Sequence, residues 1–92
     1  MNIRINAGYI ITDSIHIGDV EFVLGVNMKE PSQFVTWQCA NHSNYFWGHY
    51  FNDQFAAEKD LIARAREEVR YLEQQHKRLE KQNIPKGKEH ER

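Results

Sequence analysis

The chain has 92 residues, a formal net charge of -1 and a single cysteine. This length suits one domain, and the balanced charge argues against duplex DNA binding, which needs many basic side chains to neutralise phosphates. One cysteine excludes an internal disulfide and fits a reducing compartment. Residues 1–8 lack the apolar core of a signal peptide, and no apolar run approaches the roughly 20 residues that span a bilayer. We therefore expect a cytoplasmic protein that does not enter a membrane.

The first predicted hairpin follows residues 1–8, which we expect to be a loose segment, although Ile3 and Ile5 alternate and are able to extend an edge strand. Residues 9–17 and 20–26 alternate, and Gly18-Asp19 between them is a two-residue turn signal. The resulting apolar face carries Ile11, Ile15, Ile17, Val20, Phe22, Leu24 and Val26. Asp13 is the exception on that face, and we place it at a bulge or the sheet margin because an unpaired buried carboxylate is costly. His16 and Glu21 are interpreted as an exposed cross-strand pair on the other face.

Residues 34–51, FVTWQCANHSNYFWGHYF, are interpreted as a second hairpin with a four-residue loop at 41–44. In that register Ala40 faces Tyr45 and Val35 faces Tyr50, because side chains alternate across a strand. The face expected to turn toward the core carries Val35, Trp37, Cys39, Phe46 and Tyr50, with the Trp37 ring lying over Gly48. The opposite face carries Phe34, Thr36, Gln38, Tyr45, Trp47, His49 and Phe51. Residues 27–33 connect the two hairpins, and Pro31 within them prevents the strand pairing from continuing. Because the connections are short, the two hairpins predict a four-stranded antiparallel meander.

One long helix is predicted after the hairpins, capped by Asn52 or Asp53 and ending near Gln82. Its apolar stripe comprises Phe55, Ile62, Ala65, Val69, Leu72 and Leu79, with His76 on the same line and Leu61 beside it. A helix of about 30 residues is roughly 45 Å long, whereas a strand of about seven residues spans roughly 23 Å. The segment with Leu72, His76 and Leu79 is therefore a candidate for helix pairing in a homodimer. We predict one α+β domain, ββββα, over residues 1–82, with the helix packed on one face and a flexible charged tail over residues 83–92.

Catalytic and metal chemistry is not predicted. Cys39, His42 and His49 are the obvious ligand types, but Cys39 and His49 fall on opposite faces and a fourth ligand is absent. The same geometry argues against a Cys–His nucleophilic pair. The chain has no phosphate-binding glycine loop and no nucleophile elbow. We expect no enzymatic activity, no catalytic residue, no metal and no cofactor.

The ring-rich outer face of the second hairpin is the candidate binding surface. Its proposed members are Phe34, Tyr45, Trp47, His49 and Phe51. Such a face is covered by another segment or a second subunit, or it docks a protein, or it stacks the bases of a single-stranded nucleic acid. Nucleic acid is the least favoured partner because residues 34–51 contain no Lys or Arg.

The runs YIITDSIHIGDVEFVLGVN, FVTWQC and YFWGHYF resemble a family of small proteins of unassigned function carried on conjugative and integrative elements of Gram-positive gut bacteria. The resemblance covers residues 9–72 and carries over no functional residue. It implies an accessory protein of a mobile element, a setting rich in anti-defence proteins such as anti-CRISPR inhibitors. We therefore predict a non-enzymatic protein that masks the surface of a host or element protein. The alternatives are a single-stranded nucleic-acid-binding module and a purely structural homodimer.

Overall fold

A computed structural model describes residues 3–83, with helix side chains described as far as Lys77. The elements are β1 (Ile5–Asn6), β2 (Tyr9–Ile17), β3 (Val20–Val26), β4 (Phe34–Ala40), β5 (Asn44–Phe51) and α1 (Gln54–Asn83). The strands form one antiparallel sheet in the order β1-β2-β3-β4-β5, curled like half a barrel. The α+β class is confirmed, and the sheet has five strands instead of the expected four. The extra strand forms because Ala7 and Gly8 adopt positive φ and turn Ile5 back onto Ile10. Most of the predicted tail lies outside the described residues.

The first hairpin has the predicted register around its turn, where Gly18 has a φ of +60°. The confirmed pairs are Ile17 with Val20, His16 with Glu21, Ile15 with Phe22 and Asp13 with Leu24. The ladder then shifts between Ile11 and Asp13, which places a bulge at Thr12 and pairs Ile11 with Gly25. A bulge reverses the side on which the following residues point. The assignment of Ile11 to the Ile15 face is therefore wrong, and Asp13 is exposed beside the bulge.

The apolar sets of the two hairpins lie on opposite sides of the sheet. Phe22 pairs with Gln38 and Leu24 pairs with Thr36, so Val35 and Trp37 point away from the Phe22 side. We call the side with Phe22, on which α1 packs, the helix face, and the side with Trp37 the open face. Both sides are buried, and each has its own hydrophobic cluster. The expectation of one core face and one outer face for the sheet is therefore wrong.

Helix α1 begins after Asp53, whose carboxylate accepts the Ala56 N–H at 2.9 Å as an N-cap. Its buried line consists of Ala57, Leu61 and Ala65, while Phe55 is 66% exposed. Phe55, Ile62 and Val69 are also exposed, so the expectation that this part of the stripe packs across the sheet is wrong. Leu72 is 39% exposed and belongs to the segment predicted for helix pairing. Small alanines allow the helix backbone to approach the sheet closely, and the larger residues lie to one side of that contact line. The cluster on the helix face joins these three to Phe22, Leu24 and Phe34, edged by Ile15, Ile17, Val20, Val26 and Phe51.

The cluster on the open face is mostly aromatic. Its members are Tyr9, Val23, Val35, Trp37 and Cys39, with Ile11 and Tyr45 packed against them. The Trp37 ring lies over Gly48, as predicted, and a Cβ added to Gly48 would stand 2.8 Å from Trp37 Nε1. Tyr9 meets Trp37 edge-on at 5.7 Å between ring centroids, and its hydroxyl donates to the Ser32 carbonyl oxygen at 2.6 Å. Rings thus close this face, which α1 does not cover.

The second hairpin departs from the expected register near its turn. Ala40 pairs with Asn44, which leaves a three-residue connection, while Val35 pairs with Tyr50 as predicted. The shift between the two halves of the ladder places Trp47 and Gly48 opposite the single residue Trp37. We call this irregularity the β5 bulge. It moves Tyr45 from the predicted outer face to the open face, where its ring contacts Trp37.

Candidate functional site

Trp47, the first residue of the β5 bulge, combines an exposed ring with an unusual backbone. It is 68% exposed and has a φ of +55°. A bulky residue in the left-handed region is rare and costs on the order of 1–2 kcal/mol. The ring packs edge-on against Phe46, with 4.9 Å between centroids and an interplanar angle of 81°. Such a conformation persists only where the surrounding structure holds it.

Arg64 of α1 provides that support. Its Nη2 donates to the Trp47 carbonyl oxygen at 2.5 Å, and its Nη1 donates to Thr36 Oγ1 at 3.2 Å. Burial lowers the pKa of the Arg64 guanidinium, and the Asp60 carboxylate partly opposes that shift. The Thr36 hydroxyl, which is fully buried, donates to Asp60 Oδ2 at 2.6 Å. Asp60 and Arg64, one helical turn apart in α1, therefore hold both β4, through Thr36, and the carbonyl oxygen of the β5 bulge.

Asp60 also contacts His49, so an acid, an imidazole and a hydroxyl meet in this network. His49 Nδ1 lies 2.9 Å from Asp60 Oδ2. In a nucleophilic triad the hydroxyl gives its proton to the imidazole, which the carboxylate orients. Here the Thr36 hydroxyl donates its hydrogen bond to the Asp60 carboxylate and not to the imidazole. The arrangement fixes α1 to β4 and β5 and does not activate the hydroxyl as a nucleophile.

The five residues predicted as a binding surface do not share one face. Phe34 is buried beneath α1, and Phe51 is half-buried at the edge of the same cluster. Tyr45 lies on the open face, and Trp47 and His49 are the exposed members. The expectation of a continuous patch is wrong because α1 covers the Phe34 side and the β5 bulge reverses Tyr45. The binding role of Trp47 remains a prediction.

The residues predicted for helix pairing lie where the sheet ends beneath α1. A Cβ added to Gly18 in the β2–β3 turn would stand 3.5 Å from Leu72 Cδ1. Beyond this contact, a shallow surface groove on the helix is lined by Val69, Leu72, Glu73, His76 and Lys77. The side chain of Leu79 lies outside the described residues. Pairing through Leu72, His76 and Leu79 remains a prediction.

A second polar cluster, centred on Glu21, is not foreseen by the sequence. Glu21 is only 4% exposed, although we expected an exposed pair with His16. Arg4 binds its carboxylate with two hydrogen bonds, Nη1 to Oε2 at 2.8 Å and Nη2 to Oε1 at 3.1 Å. Ser14 Oγ donates to Oε2 as well. These bonds, above all that from Arg4, lower the pKa of Glu21 to about 2.

Two histidines complete the Glu21 cluster. His16 Nε2 lies 3.9 Å from Glu21 Oε2, and His42 Nδ1 lies 3.7 Å from Oε1. The two imidazole rings are 5.8 Å apart. Cys39 lies directly beside them, because it pairs with Glu21 across the ladder and its Sγ is 3.4 Å from Arg4 Nη2. Burial raises the pKa of the Cys39 thiol. His49 lies on the helix face, so the ligand set considered from the sequence is not assembled.

The turn before β5 explains how His42 reaches this cluster. Ser43 N–H donates to the Ala40 carbonyl oxygen at 3.3 Å, and the two residues between them have φ values of +57° at Asn41 and +63° at His42. Two successive positive φ angles are the pattern of a type I′ turn, which normally favours Asn-Gly. The Asn at the first position is therefore a usable sequence signal. The second position normally carries Gly, although His is also among the residues enriched at positive φ.

No family model, characterised protein or solved structure matches this chain. Within the part of the chain that the structure describes, no helix combines the length and apolarity needed to cross a membrane. The fold and the two clusters define an α+β protein with a curled five-stranded sheet and an exposed tryptophan at a bulge.

Proposed function

We propose that this protein is a non-enzymatic binding protein that anchors a partner protein on Trp47. The observation that carries the proposal is an exposed tryptophan whose left-handed backbone is fixed by a helix arginine. Tryptophan is among the residues that contribute most to protein–protein affinity. The strained backbone of Trp47 holds a large apolar ring in solvent, where it is available to bury its surface against a partner protein.

The rigidity of the β5 bulge supports a binding role. Arg64 bonds to the Trp47 carbonyl, Thr36 accepts from the same guanidinium, and Phe46 supports the ring. These contacts are made in the free protein, so the conformation of the anchor is set during folding. Association then orders fewer groups, which raises the affinity available from a small contact area.

The surroundings of Trp47 favour a protein over a nucleic acid. Residues 34–51 contain no Lys or Arg, and the nearby guanidinium of Arg64 is already bonded to Trp47 and Thr36. Single-strand binders combine stacking rings with a positively charged groove along the backbone. The resemblance to proteins of mobile elements suggests the class of partner, which is a protein of the host or of the element. Binding would mask the surface of that partner, which is how an anti-defence inhibitor acts.

Trp47→Gly tests the proposal with a change that separates folding from binding. Glycine adopts positive φ without strain, so the variant should be as stable as the native protein or slightly more stable. We expect affinity capture from a nuclease-treated host lysate to retain a partner on the native chain and lose it on Trp47→Gly. Phe55→Ala, which removes another exposed ring from the helix, should retain the partner.

Two results would count against an anchoring role for Trp47. One is equal capture by the native chain and Trp47→Gly. The other is a large fall in the thermal midpoint of Trp47→Gly, which would make the ring a structural element. Binding of labelled single-stranded oligonucleotides at low salt, lost in the same variant, would instead favour the nucleic-acid alternative.

Self-association through α1 is a second candidate, favoured by a separate apolar line. Phe55, Ile62 and Val69 recur every seven residues, and all three are exposed. Ile62 and Arg64 point to nearly opposite sides of the helix, about 200° apart, so this line is distinct from the Trp47 site. Sedimentation of the native chain and of Ile62→Glu tests it, and truncation after Leu72 tests the contribution of the last helical turns. A native monomer would remove this candidate without affecting the first.

A further inference from the structure

We propose that His16, Glu21 and His42 form a binding site for a divalent transition-metal ion, with zinc as the representative metal. One ligand atom from each residue lies within 4.8 Å of the other two. The three residues come from β2, β3 and the β4–β5 turn. The fold therefore brings these ligands together, and their spacing in the sequence matches no metal-binding motif. This site is independent of the anchoring role proposed for Trp47.

The three ligand atoms lie within 4.8 Å of one another, so gathering them around one ion requires closing the gaps by up to about 1.5 Å. Zinc binds nitrogen and oxygen at about 2.0–2.2 Å, which places neighbouring ligand atoms of a tetrahedral site about 3.3–3.5 Å apart. His42 Nδ1 lies 3.7 Å from Glu21 Oε1, whereas His16 Nε2 lies 3.9 Å from the other oxygen, Oε2, so His16 must rotate towards the oxygen that it would share with His42. The side chains of His16 and His42 are 57% and 71% exposed, so side-chain rotation can close the remaining gap.

The Glu21 carboxylate retains room for a metal despite its other partners. A carboxylate offers about four lone-pair positions, and here Arg4 uses two and Ser14 one. Oxygen Oε1, which faces His42, accepts only from Arg4 among these bonds. A cation bound there is repelled by the Arg4 guanidinium. We therefore expect a weaker site than a structural zinc centre.

The ligand types select the kind of metal. Imidazole nitrogen suits zinc, copper and nickel, whereas calcium and magnesium prefer sets made entirely of oxygen ligands. Three protein ligands leave one position of a tetrahedral ion open for water or another donor. The nearby Cys39 thiol is buried beneath the carboxylate and is not needed to complete the set.

Calorimetric titration of the full, untagged chain with zinc tests the assignment. We expect one zinc per chain, and affinity at least about tenfold lower in His16→Gln and in His42→Asn, the usual scale for changes to a metal site. Asparagine tolerates the left-handed backbone of residue 42, so the second variant keeps the turn. His49→Gln is the matched control, because His49 and Asp60 form a separate His–carboxylate pair on the helix face. Its affinity should be unchanged.

Each other outcome overturns the site. Equal zinc affinity in His16→Gln and the native chain would show that the imidazole is not a ligand. Loss of binding in His49→Gln would move the metal to the helix face. Magnesium binding as tight as zinc binding would indicate a carboxylate-only contact.

Discussion

The two faces of the sheet are buried by different means. On the helix face, Ala57, Leu61 and Ala65 bring α1 close to the sheet, and a second layer of backbone excludes water. On the open face, residues 3–83 place no helix, and burial depends on large rings, the curl of the sheet and residues of the N-terminal segment. Tyr9 covers Trp37 there, and Arg4 lies over the Tyr45 ring at 5.6 Å.

The buried polar groups of the two faces obtain their hydrogen-bonding partners from different elements. On the helix face, the buried Thr36 hydroxyl is satisfied by Asp60 and Arg64 from the second layer. On the open face, the buried Glu21 is satisfied by Arg4 and Ser14 from the sheet and the segment beside it. A face without a second layer must obtain its hydrogen-bonding partners from its own edge. The N-terminal segment is therefore a structural part of this face.

The largest expected effect tests whether the two faces contribute equally to stability. Trp37→Ala on the open face and Phe22→Ala on the helix face should each lower the free energy of unfolding by about 3–5 kcal/mol, because both side chains are almost fully buried. Urea denaturation monitored by circular dichroism measures both. A loss below about 1 kcal/mol for Trp37→Ala alone would mean that the open face is loosely packed.

Acid should destabilise the open face through Glu21. Its folded-state pKa is about 2, below the ordinary value of 4.5, so the ionised form is favoured by folding. The resulting stabilisation, about 3 kcal/mol, is complete above about pH 4.5 and is lost as the pH falls towards 2. Urea denaturation at pH values from 2 to 6 should show a steeper loss in the native chain than in Glu21→Gln. Equal slopes would remove Glu21 as the source.

The contact between Trp37 and Gly48 should produce a smaller loss. A Cβ at residue 48 would stand 2.8 Å from Trp37 Nε1 and 3.0 Å from Tyr50 Cε1, so Gly48→Ala should cost about 1–3 kcal/mol. Combining it with Trp37→Phe, which removes the nearer ring atom, should cost less than the sum of the two single changes. Strict additivity in the double-mutant cycle would contradict this overlap.

The smallest expected effect concerns the outer side of α1. Phe55→Ala should change the free energy of unfolding by less than about 0.5 kcal/mol, because the ring is 66% exposed. Leu61→Ala, one and a half turns further along and buried, should cost about 2–4 kcal/mol. A large, concentration-dependent loss for Phe55→Ala would show instead that this side of the helix is buried in a dimer.

Features set by local sequence were predictable. The Gly18-Asp19 turn and the alternation on either side fixed the register of the first hairpin, and Asp53 with an uninterrupted run of helix formers fixed the start of α1. The contact of Trp37 with Gly48 followed from cross-strand geometry. Each of these depends on residues adjacent in sequence or directly opposite in one hairpin.

The candidate sites depended on contacts that alternation cannot reveal. Alternation identified the apolar side of each hairpin, but the pairing of Leu24 with Thr36 across a linker put those sides on opposite faces. The bulge at Trp47 is held by Arg64, 17 residues away, and the burial of Glu21 depends on Arg4, also 17 residues away.

The amino-acid sequence by itself determined four of the five strands, the helix and the α+β class, because periodicity and capping act over a few residues. Only the tertiary structure decided which rings are exposed and which charged groups meet. A single bulge reverses every side chain beyond it, and the β5 bulge is bonded to Arg64 of α1, a contact between residues distant in the sequence.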